Sequence, residues 1–111
     1  MHIKFTNKKN ALIVYLSGEL DHHSAEDVRN KIDDMIARTN SLNLILDFSN
    51  VNFMDSSGIG VVIGRYKKLL NKKGRVSISN VNGSVKRVFE LSGMFKIIPL
   101  YSSADEAVNN G

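Results

Sequence analysis

The sequence predicts an α/β domain in which a mixed, mostly parallel β-sheet packs against amphipathic helices, in the order β-β-α-β-α-β-α-β-α. Short apolar runs of strand length alternate with segments whose apolar residues recur every three or four positions. This alternation is typical of sheets with parallel neighbours. The chain has 111 residues without a repeat or a linker. We therefore expect a single domain over residues 1–111.

The chain opens with a predicted hairpin and a first helix. Ile3 and Phe5 alternate with polar neighbours, and residues 11–16 form a continuous apolar run after a polar turn. We expect Ser24 to cap the helix, with Asp27 completing a variant capping box. The apolar stripe of this helix is formed by Ala25, Val28, Ile32, Met35 and Ile36.

A central strand and a second helix come next. The strand covers residues 42–48, and Val51 and Phe53 extend it. The helix opens within residues 54–60, and Gly74 is placed to end it. Its apolar stripe is formed by Ile59, Val62, Ile63, Tyr66, Leu69 and Leu70.

Shorter elements fill the last third of the chain. In order they are a strand at Val76 and Ile78, a helix over residues 84–92 ended by Gly93, a strand candidate over residues 95–100, and a helix opened by a capping box at residues 103–106. Pro99 places the strand candidate at a sheet edge or a strand end. Leu91 is expected on the apolar face of its helix, together with Val85, Val88 and Phe89.

Composition excludes several classes of protein. The absence of cysteine excludes disulfides, thiolate metal sites and cysteine nucleophiles. The longest apolar run, residues 11–16, is far shorter than the roughly 18 residues of a membrane span. The N-terminus lacks the basic and apolar regions of a signal peptide. We expect no membrane association and a cytoplasmic location.

The net charge of +4 is unevenly distributed. Residues 1–55 hold six basic and eight acidic residues, a net of −2, whereas residues 56–111 hold nine basic and three acidic residues, a net of +6. The basic run over residues 65–75 is either a patch for a polyanion or a solvated helix face. We favour the helix face and expect no nucleic acid, because Tyr66 is the only aromatic residue within the run.

The sharpest chemical feature is the turn Asp55-Ser56-Ser57-Gly58. It follows a predicted strand, and ligands concentrate at the carboxyl ends of strands in α/β sheets. Asp55, Ser56 and Ser57 are all good N-cap residues, so one interpretation is a redundant cap. The other is an open hydroxyl, since Gly58 and Gly60 remove side chains beside it.

An open hydroxyl would act as a nucleophile or as a phosphoacceptor. A hydrolase elbow needs glycine two positions before its serine, where this chain has Met54. No Gly-Lys-Ser/Thr sequence follows the glycines, which excludes a Walker loop. The nucleophile is therefore disfavoured, and we expect no catalytic residues and no enzyme activity.

Adjacent histidines form the second feature. His22 and His23 follow Asp21, whereas a helical zinc pair needs a spacing of four, so we expect neither a metal nor a cofactor. The pair is either a set of surface imidazoles or, with Asp21, the polar rim of an interface.

Three segments together resemble the anti-anti-sigma factors, a family of STAS domains. They are residues 18–26 (Gly-Glu-Leu-Asp-His-His-Ser-Ala-Glu), residues 53–67 around the serine turn, and residues 85–98. The first segment favours the sporulation branch over the general-stress branch. The chain departs from the family at residues 80–83, where relatives often carry a proline.

The resemblance implies that Ser56 is a regulatory phosphoacceptor. The kinase would be the anti-sigma factor itself, an ATPase of the histidine-kinase-like type that uses Mg-ATP, and a phosphatase of the PP2C type would remove the phosphate. The unphosphorylated protein would bind the anti-sigma factor and release the sporulation sigma factor, and phosphorylation would switch this binding off.

Several residues are candidate partner contacts, and Asp55 and Ser57 are also expected to shape the turn and cap the helix. For Arg65 the alternative is a solvated helix residue. The free protein is expected to be a monomer. The alternative function is a STAS-type sensor or scaffold subunit that binds a small ligand or a nucleotide. The candidate contacts are Asp21, His22, His23, Asp55, Ser57, Gly58, Ile59, Gly60 and Arg65.

Overall fold

The computed structural model describes residues 1–110, so Gly111, the last residue of the predicted domain, lies outside the described residues. Five strands form one sheet in the order β1-β2-β3-β4-β5. The pair β1–β2 is antiparallel, which confirms the hairpin, and the other three pairs are parallel. The strands are β1 (His2–Lys8), β2 (Ala11–Leu20), β3 (Asn43–Met54), β4 (Arg75–Ser79) and β5 (Leu100–Tyr101).

Helices make each of the parallel crossovers, and this confirms the predicted α/β order. Because such crossovers are right-handed, the first three helices lie on one face of the sheet. None of the helices within residues 1–110 has the length and apolar character to cross a membrane. The helices are α1 (Ala25–Thr39), α2 (Ser56–Leu70), α3 (Gly83–Ser92), a 3-10 turn (Met94–Lys96) and α4 (Ala104–Asn110).

Strand alternation divides the core between the two faces of the sheet. On the larger side, Ile32 of α1 and Val62 of α2 pack with alternate strand residues such as Leu46. On the other side, Val108 of α4 packs with Ile45. Residues 44–48 of β3 are therefore buried on both faces, as expected for a central strand.

A buried carboxylate fastens β3 to β4. Asp47 is 1% exposed, and its Oδ1 accepts hydrogen bonds from the backbone N–H and hydroxyl of Ser49 at 3.0 and 2.6 Å. Its Oδ2 accepts from Ser79 Oγ at 2.8 Å and from Asn80 Nδ2 at 2.6 Å. A buried carboxylate needs such partners, so this cluster fixes the ends of both strands.

The predicted capping box at Ser24 is wrong. Helix α1 begins at Ala25 as expected, but the Ser24 side chain makes no cap hydrogen bond. Its hydroxyl instead donates to the Glu19 carbonyl at 2.8 Å and accepts from the Asp21 N–H at 3.1 Å. Asp27 pairs with Lys31 one turn further along the helix. Ser24 therefore holds the preceding loop together.

The strand predicted over residues 95–100 is present, but its predicted bounds are wrong. The chain leaves α3 through Gly93 at φ +76°, forms a 3-10 turn and pairs with β4 only at Leu100 and Tyr101. Phe95 stacks on Phe89 at 5.3 Å, so its apolar side chain packs in a turn. Pro99 precedes an edge strand as predicted, but Leu91 is 75% exposed and does not join the core.

The final capping box is half formed. Ser103 Oγ accepts from the Glu106 N–H at 3.0 Å, as predicted. The Glu106 carboxylate accepts instead from the Ser102 N–H at 2.9 Å, one residue before the expected position.

Gly74 lies beyond the helix that it was predicted to end. Helix α2 stops at Leu70, and the Gly74 N–H donates to the Leu69 carbonyl at 2.7 Å. A Cβ on Gly74 would lie 2.5 Å from the Leu42 carbonyl oxygen, so close backbone approach requires the glycine.

Gly74→Ala is expected to lower the free energy of unfolding by about 1–3 kcal/mol, because the backbone at Leu42 must move to admit the methyl group. Gly64→Ala is the matched control, since a Cβ there meets nothing within 4 Å. This control should stabilise the protein by roughly 0.5–1 kcal/mol as a helix-interior substitution. Urea denaturation measures both changes, and equal stability of the Gly74 variant and wild type would refute the close contact.

Candidate functional site

Two loops meet at the carboxyl ends of β2 and β3. Leu20 and Met54, the last residues of these parallel strands, are register partners. The chain continues from Leu20 into Asp21 and His22, and from Met54 into Asp55. The structure thus brings together the two motifs that the sequence keeps 33 residues apart, as the Asp55–His22 hydrogen bond demonstrates.

Asp55 joins the two loops and caps α2. Its Oδ1 accepts from the Ser57 N–H at 2.8 Å, which confirms Asp55 as the cap, and its Oδ2 accepts from the His22 N–H at 3.2 Å. The same cap predicted for Ser57 is wrong, because Ser57 is the second residue of α2 and its own N–H is the one capped. The Asp55 N–H donates to the Leu20 carbonyl at 3.3 Å. Desolvation raises the pKa of the Asp55 carboxyl, but the hydrogen bonds from Ser57 and His22 outweigh it and lower the pKa below its usual value.

Asp21 organises its own loop. Its Oδ1 accepts from the backbone N–H groups of His23 and Ser24 at 2.9 and 3.1 Å. The imidazoles of His22 and His23 are exposed and meet edge to face, with centroids 5.3 Å apart. Within residues 1–110 no three His, Asp or Glu side chains converge as metal ligands would.

Ser56 is the first residue of α2 and its side chain is exposed. Among residues 1–110, no group forms a hydrogen bond with its hydroxyl under ordinary distance and angle limits. Ser57 is partly buried, and its N–H is held by Asp55. Of the two adjacent serines, Ser56 is therefore the one whose hydroxyl is available at the positive end of a 15-residue helix.

Gly58 and Gly60, which follow Ser56, differ in why a glycine stands at each position. Gly58 is buried, and an added Cβ would collide with Met54 Cγ and lie 2.6 Å from Met54 Sδ, so packing accounts for it. Ile59 packs against the main core. Gly60 is exposed with nothing within 4 Å of an added Cβ. Of Gly58 and Gly60, the two glycines of the turn motif, Gly60 is thus the one that leaves open space on the surface.

Arg65 is not a solvated helix residue. It is 6% exposed, its Nε lies 2.8 Å from Asp33 Oδ1 on α1, and its Nη1 donates to the Val61 carbonyl at 3.3 Å. The Nε–H is not aligned for a hydrogen bond, so we describe the Asp33 contact as an ion pair. Burial lowers the pKa of Arg65, and Asp33 opposes that shift. The other members of the basic run, Lys67, Lys72, Lys73 and Arg75, are exposed, and Lys68 is partly exposed.

Arg65→Met is expected to lower the free energy of unfolding by about 1–2 kcal/mol, because Asp33 loses its main countercharge. Lys68, 3.7 Å from the same carboxylate oxygen, compensates in part. Arg38→Met removes an exposed i,i+4 pair with Asp34 and should change stability by less than about 0.5 kcal/mol. Urea denaturation measures both free energies of unfolding. Equal losses in the two variants would contradict a structural role for the buried Arg65–Asp33 ion pair.

Comparison with known proteins identifies the family. A STAS domain model matches residues 2–107. The anti-sigma F factor antagonist of Paenibacillus polymyxa is 42% identical over 97% of this chain and 92% of its own length, and that of Lysinibacillus sphaericus is 36% identical over 78% and 74%.

Solved structures agree with the sequence relatives. The anti-sigma factor antagonist SpoIIAA in its unphosphorylated form superposes with a TM-score of 0.85 at 32% identity, covering 98% of this chain and 95% of that one. Bacillus SpoIIAA in the phosphorylated form gives a TM-score of 0.76 at 31% identity, with 98% of each chain covered. The chain therefore belongs to the STAS domain family and, within it, to the anti-sigma factor antagonists.

Proposed function

We propose that this protein binds an anti-sigma factor kinase, releases a sporulation sigma factor, and loses that binding when Ser56 is phosphorylated. The observation that carries the proposal is the exposed Ser56 hydroxyl at the start of α2, beside the loop of Asp21 and His22. Solved structures of the similar SpoIIAA in unphosphorylated and phosphorylated forms support it.

In the proposed phosphoryl transfer, the partner kinase supplies the ATP and the base, and this protein supplies the Ser56 hydroxyl. The Ser56 oxygen attacks the γ-phosphorus of Mg-ATP held by a kinase of the histidine-kinase-like ATPase type. A new O–P bond forms, the bond from the γ-phosphorus to the bridging oxygen breaks, and ADP departs. The hydroxyl proton passes to the kinase, because the N–H donors on Asp55 lower the pKa of its carboxyl and make it a weak base. The antagonist is thus a substrate of the kinase and needs no cofactor of its own. A PP2C-type phosphatase removes the phosphate again.

The fold should tolerate this phosphate. At the first residue of α2 the phosphate faces the first-turn N–H groups and the positive end of the helix dipole. Its charge of about −1.5 to −2 is therefore placed where a helix accepts an anion. We expect the modified protein to keep the same fold outside the Ser56 turn.

The phosphate should instead oppose partner binding. Docking on the Ser56 turn would strip water from a dianion next to the Asp55 carboxylate, which repels it. A loss of about 3–4 kcal/mol weakens binding several hundredfold. The proposed partner surface comprises Asp21, His22, His23, Asp55, Ser57, Ile59 and Gly60. Gly58, also expected as a contact, is buried against Met54 and supports this surface by packing.

Arg65 contributes differently in this proposal. Because its side chain is buried in the ion pair with Asp33, it holds α2 against α1 and supports the surface from behind. We further place the protein in the cytoplasm, where sigma factors act, and expect a monomer when it is free.

Intact mass spectrometry tests the proposal. The protein is mixed with its cognate anti-sigma kinase and Mg-ATP, and wild type should gain one phosphate. Ser57→Ala should gain it as well, whereas Ser56→Ala should gain none. An unmodified wild type, or a modified Ser56→Ala variant, would refute phosphorylation at Ser56.

The alternative function, a small-ligand sensor, rests on a cleft of about 560 Å³. It is lined by β5 and by the segments that directly follow β4 and β5. Its walls include the polar side chains of Asn82, Lys86, Tyr101 and Glu106. Calorimetric titration of the protein alone with ATP and with GTP tests this function. Saturable binding that is lost in Lys86→Ala, in a protein that no kinase modifies, would favour it.

A further inference from the structure

A second surface lies at the opposite end of the sheet from Ser56. Strand β3 runs from Asn43 to Met54, which precedes the serine turn, so the start of β3 marks the far end. There a cleft of about 240 Å³ is lined by Asn43, Tyr66, Leu70, Arg75 and Ile97, among others. We refer to it as the amino-end cleft.

Exposed apolar side chains surround the amino-end cleft. Leu70 is 54% exposed and Ile97 is 51% exposed, and both line it. Leu42, 48% exposed, adjoins it, because its backbone contacts Gly74 of the cleft wall and accepts the Arg75 N–H at 2.7 Å. Two of the five large apolar side chains that are exposed within residues 1–110 thus line this one cleft, and the backbone of a third adjoins it, a grouping typical of interaction sites.

The one charged residue that lines the amino-end cleft is basic. It is Arg75, and Lys73 and Lys96 directly precede the lining residues Gly74 and Ile97 in the chain. All three side chains are exposed, and none forms an ion pair with another described residue. No acidic residue lines the cleft. An apolar floor with a cationic rim is complementary to acidic and apolar side chains together.

We propose that the amino-end cleft docks an acidic segment of a second protein, anchored by apolar side chains between Leu70 and Ile97. A symmetric contact between two copies is disfavoured, because it would place the two cationic rims against each other. Nucleic acid is disfavoured because Arg75 is the only basic residue that lines the cleft, whereas binding to nucleic acid draws on several phosphate contacts. Since the cleft and Ser56 lie at opposite ends of β3, both surfaces can be occupied at once.

Two synthetic peptides test this docking surface. They carry leucines at identical helical positions, with Glu at the polar positions of one and Lys at those of the other. Amide NMR titration should show the Glu peptide shifting signals around the amino-end cleft, with affinity that falls as salt rises. The Lys peptide should bind at least about tenfold more weakly.

Variants of the full chain locate the binding. Leu70→Ser and Arg75→Glu should each weaken the Glu peptide at least about fivefold. Leu91→Ser is the matched control, because Leu91 is an exposed leucine outside the cleft, and it should bind like wild type. Ser56→Ala should also bind like wild type, so the test is independent of phosphorylation. Well-dispersed amide spectra verify that each variant is folded.

Several outcomes would overturn the proposal. Equal binding of both peptides, equal losses in Leu70→Ser and Leu91→Ser, or shifts confined to the Ser56 turn would each do so. Cleft signals that move with protein concentration alone would assign the surface to a second copy of the chain. Cleft signals that move with duplex DNA would assign it to nucleic acid.

Discussion

Phosphorylation of Ser56 is expected to weaken binding to the anti-sigma factor several hundredfold while leaving the fold intact. The physical reason is local, because Ser56 is exposed at the start of α2 and Asp55 already places a carboxylate beside it. A dianion that must be desolvated next to that carboxylate costs about 3–4 kcal/mol at the interface. The same dianion is accepted by the free helix end, so stability should change little.

Calorimetry with the purified anti-sigma factor measures this effect on the phosphorylated and unmodified proteins. Ser56→Glu should reproduce only part of the loss, since one carboxylate carries less charge and fewer acceptor oxygens than a phosphate. Ser57→Ala should bind like the unmodified protein. A loss of less than about tenfold, or amide shifts spread over the whole sheet, would show that interface electrostatics do not drive the switch.

The spacing of apolar residues predicted the fold, because most helices and strands repeat their apolar pattern over many residues. Helix α1 buries Val28, Ile32 and Ile36 as one stripe, and β3 is apolar along its first half, so type and order follow from the sequence. The short run after Gly93 was misassigned because an apolar run of that length fits a strand and a buried turn equally well. Tertiary contacts such as Phe95 on Phe89 decide between them, and no local pattern encodes them.

The site was predictable to the extent that topology dictates it. Parallel neighbours end at the same edge of a sheet, so the segments after Leu20 and Met54 had to meet there. The sequence patterns did not predict the polar side-chain contacts between residues that are far apart in the chain. Arg65 reaches Asp33 on another helix, and Asp47 binds Ser79 from 32 residues away. The sequence around these two acidic residues does not distinguish them from acidic residues on the surface.

Asp55→Ser is expected to lower the rate of phosphorylation and the affinity for the partner by about tenfold each, although Ser56 and the helix cap remain. Serine is a good N-cap residue and can still accept the Ser57 N–H. Its shorter side chain has a single oxygen and cannot also hold the His22 N–H, which the Asp55 Oδ2 accepts at 3.2 Å. The substitution therefore separates capping from the connection between the two loops.

Hydrogen exchange at the His22 amide gives the direct readout of that connection. Asp55→Ser and Asp55→Ala should both raise the exchange rate at His22, whereas only Asp55→Ala should also weaken the start of α2. Asp55→Asn is a sharper variant, because its amide retains an oxygen for the Ser57 N–H but can place a donor towards the His22 N–H. If Asp55→Ser protects His22 and binds the partner as wild type does, the two loops do not act as one surface.

The pH dependence follows from the same hydrogen bonds. Desolvation raises the pKa of Asp55, but the N–H donors of Ser57 and His22 outweigh it, so the folded pKa lies below the unfolded value. A group of this kind contributes its stabilisation above the unfolded pKa and loses it as pH falls through the folded pKa. Exchange at His22 should therefore stay slow, after correction for the intrinsic rate, down to acidic pH and accelerate only once Asp55 protonates. In Asp55→Ser this acidic transition should vanish, which links the exposed serine turn and the histidine loop through one carboxylate.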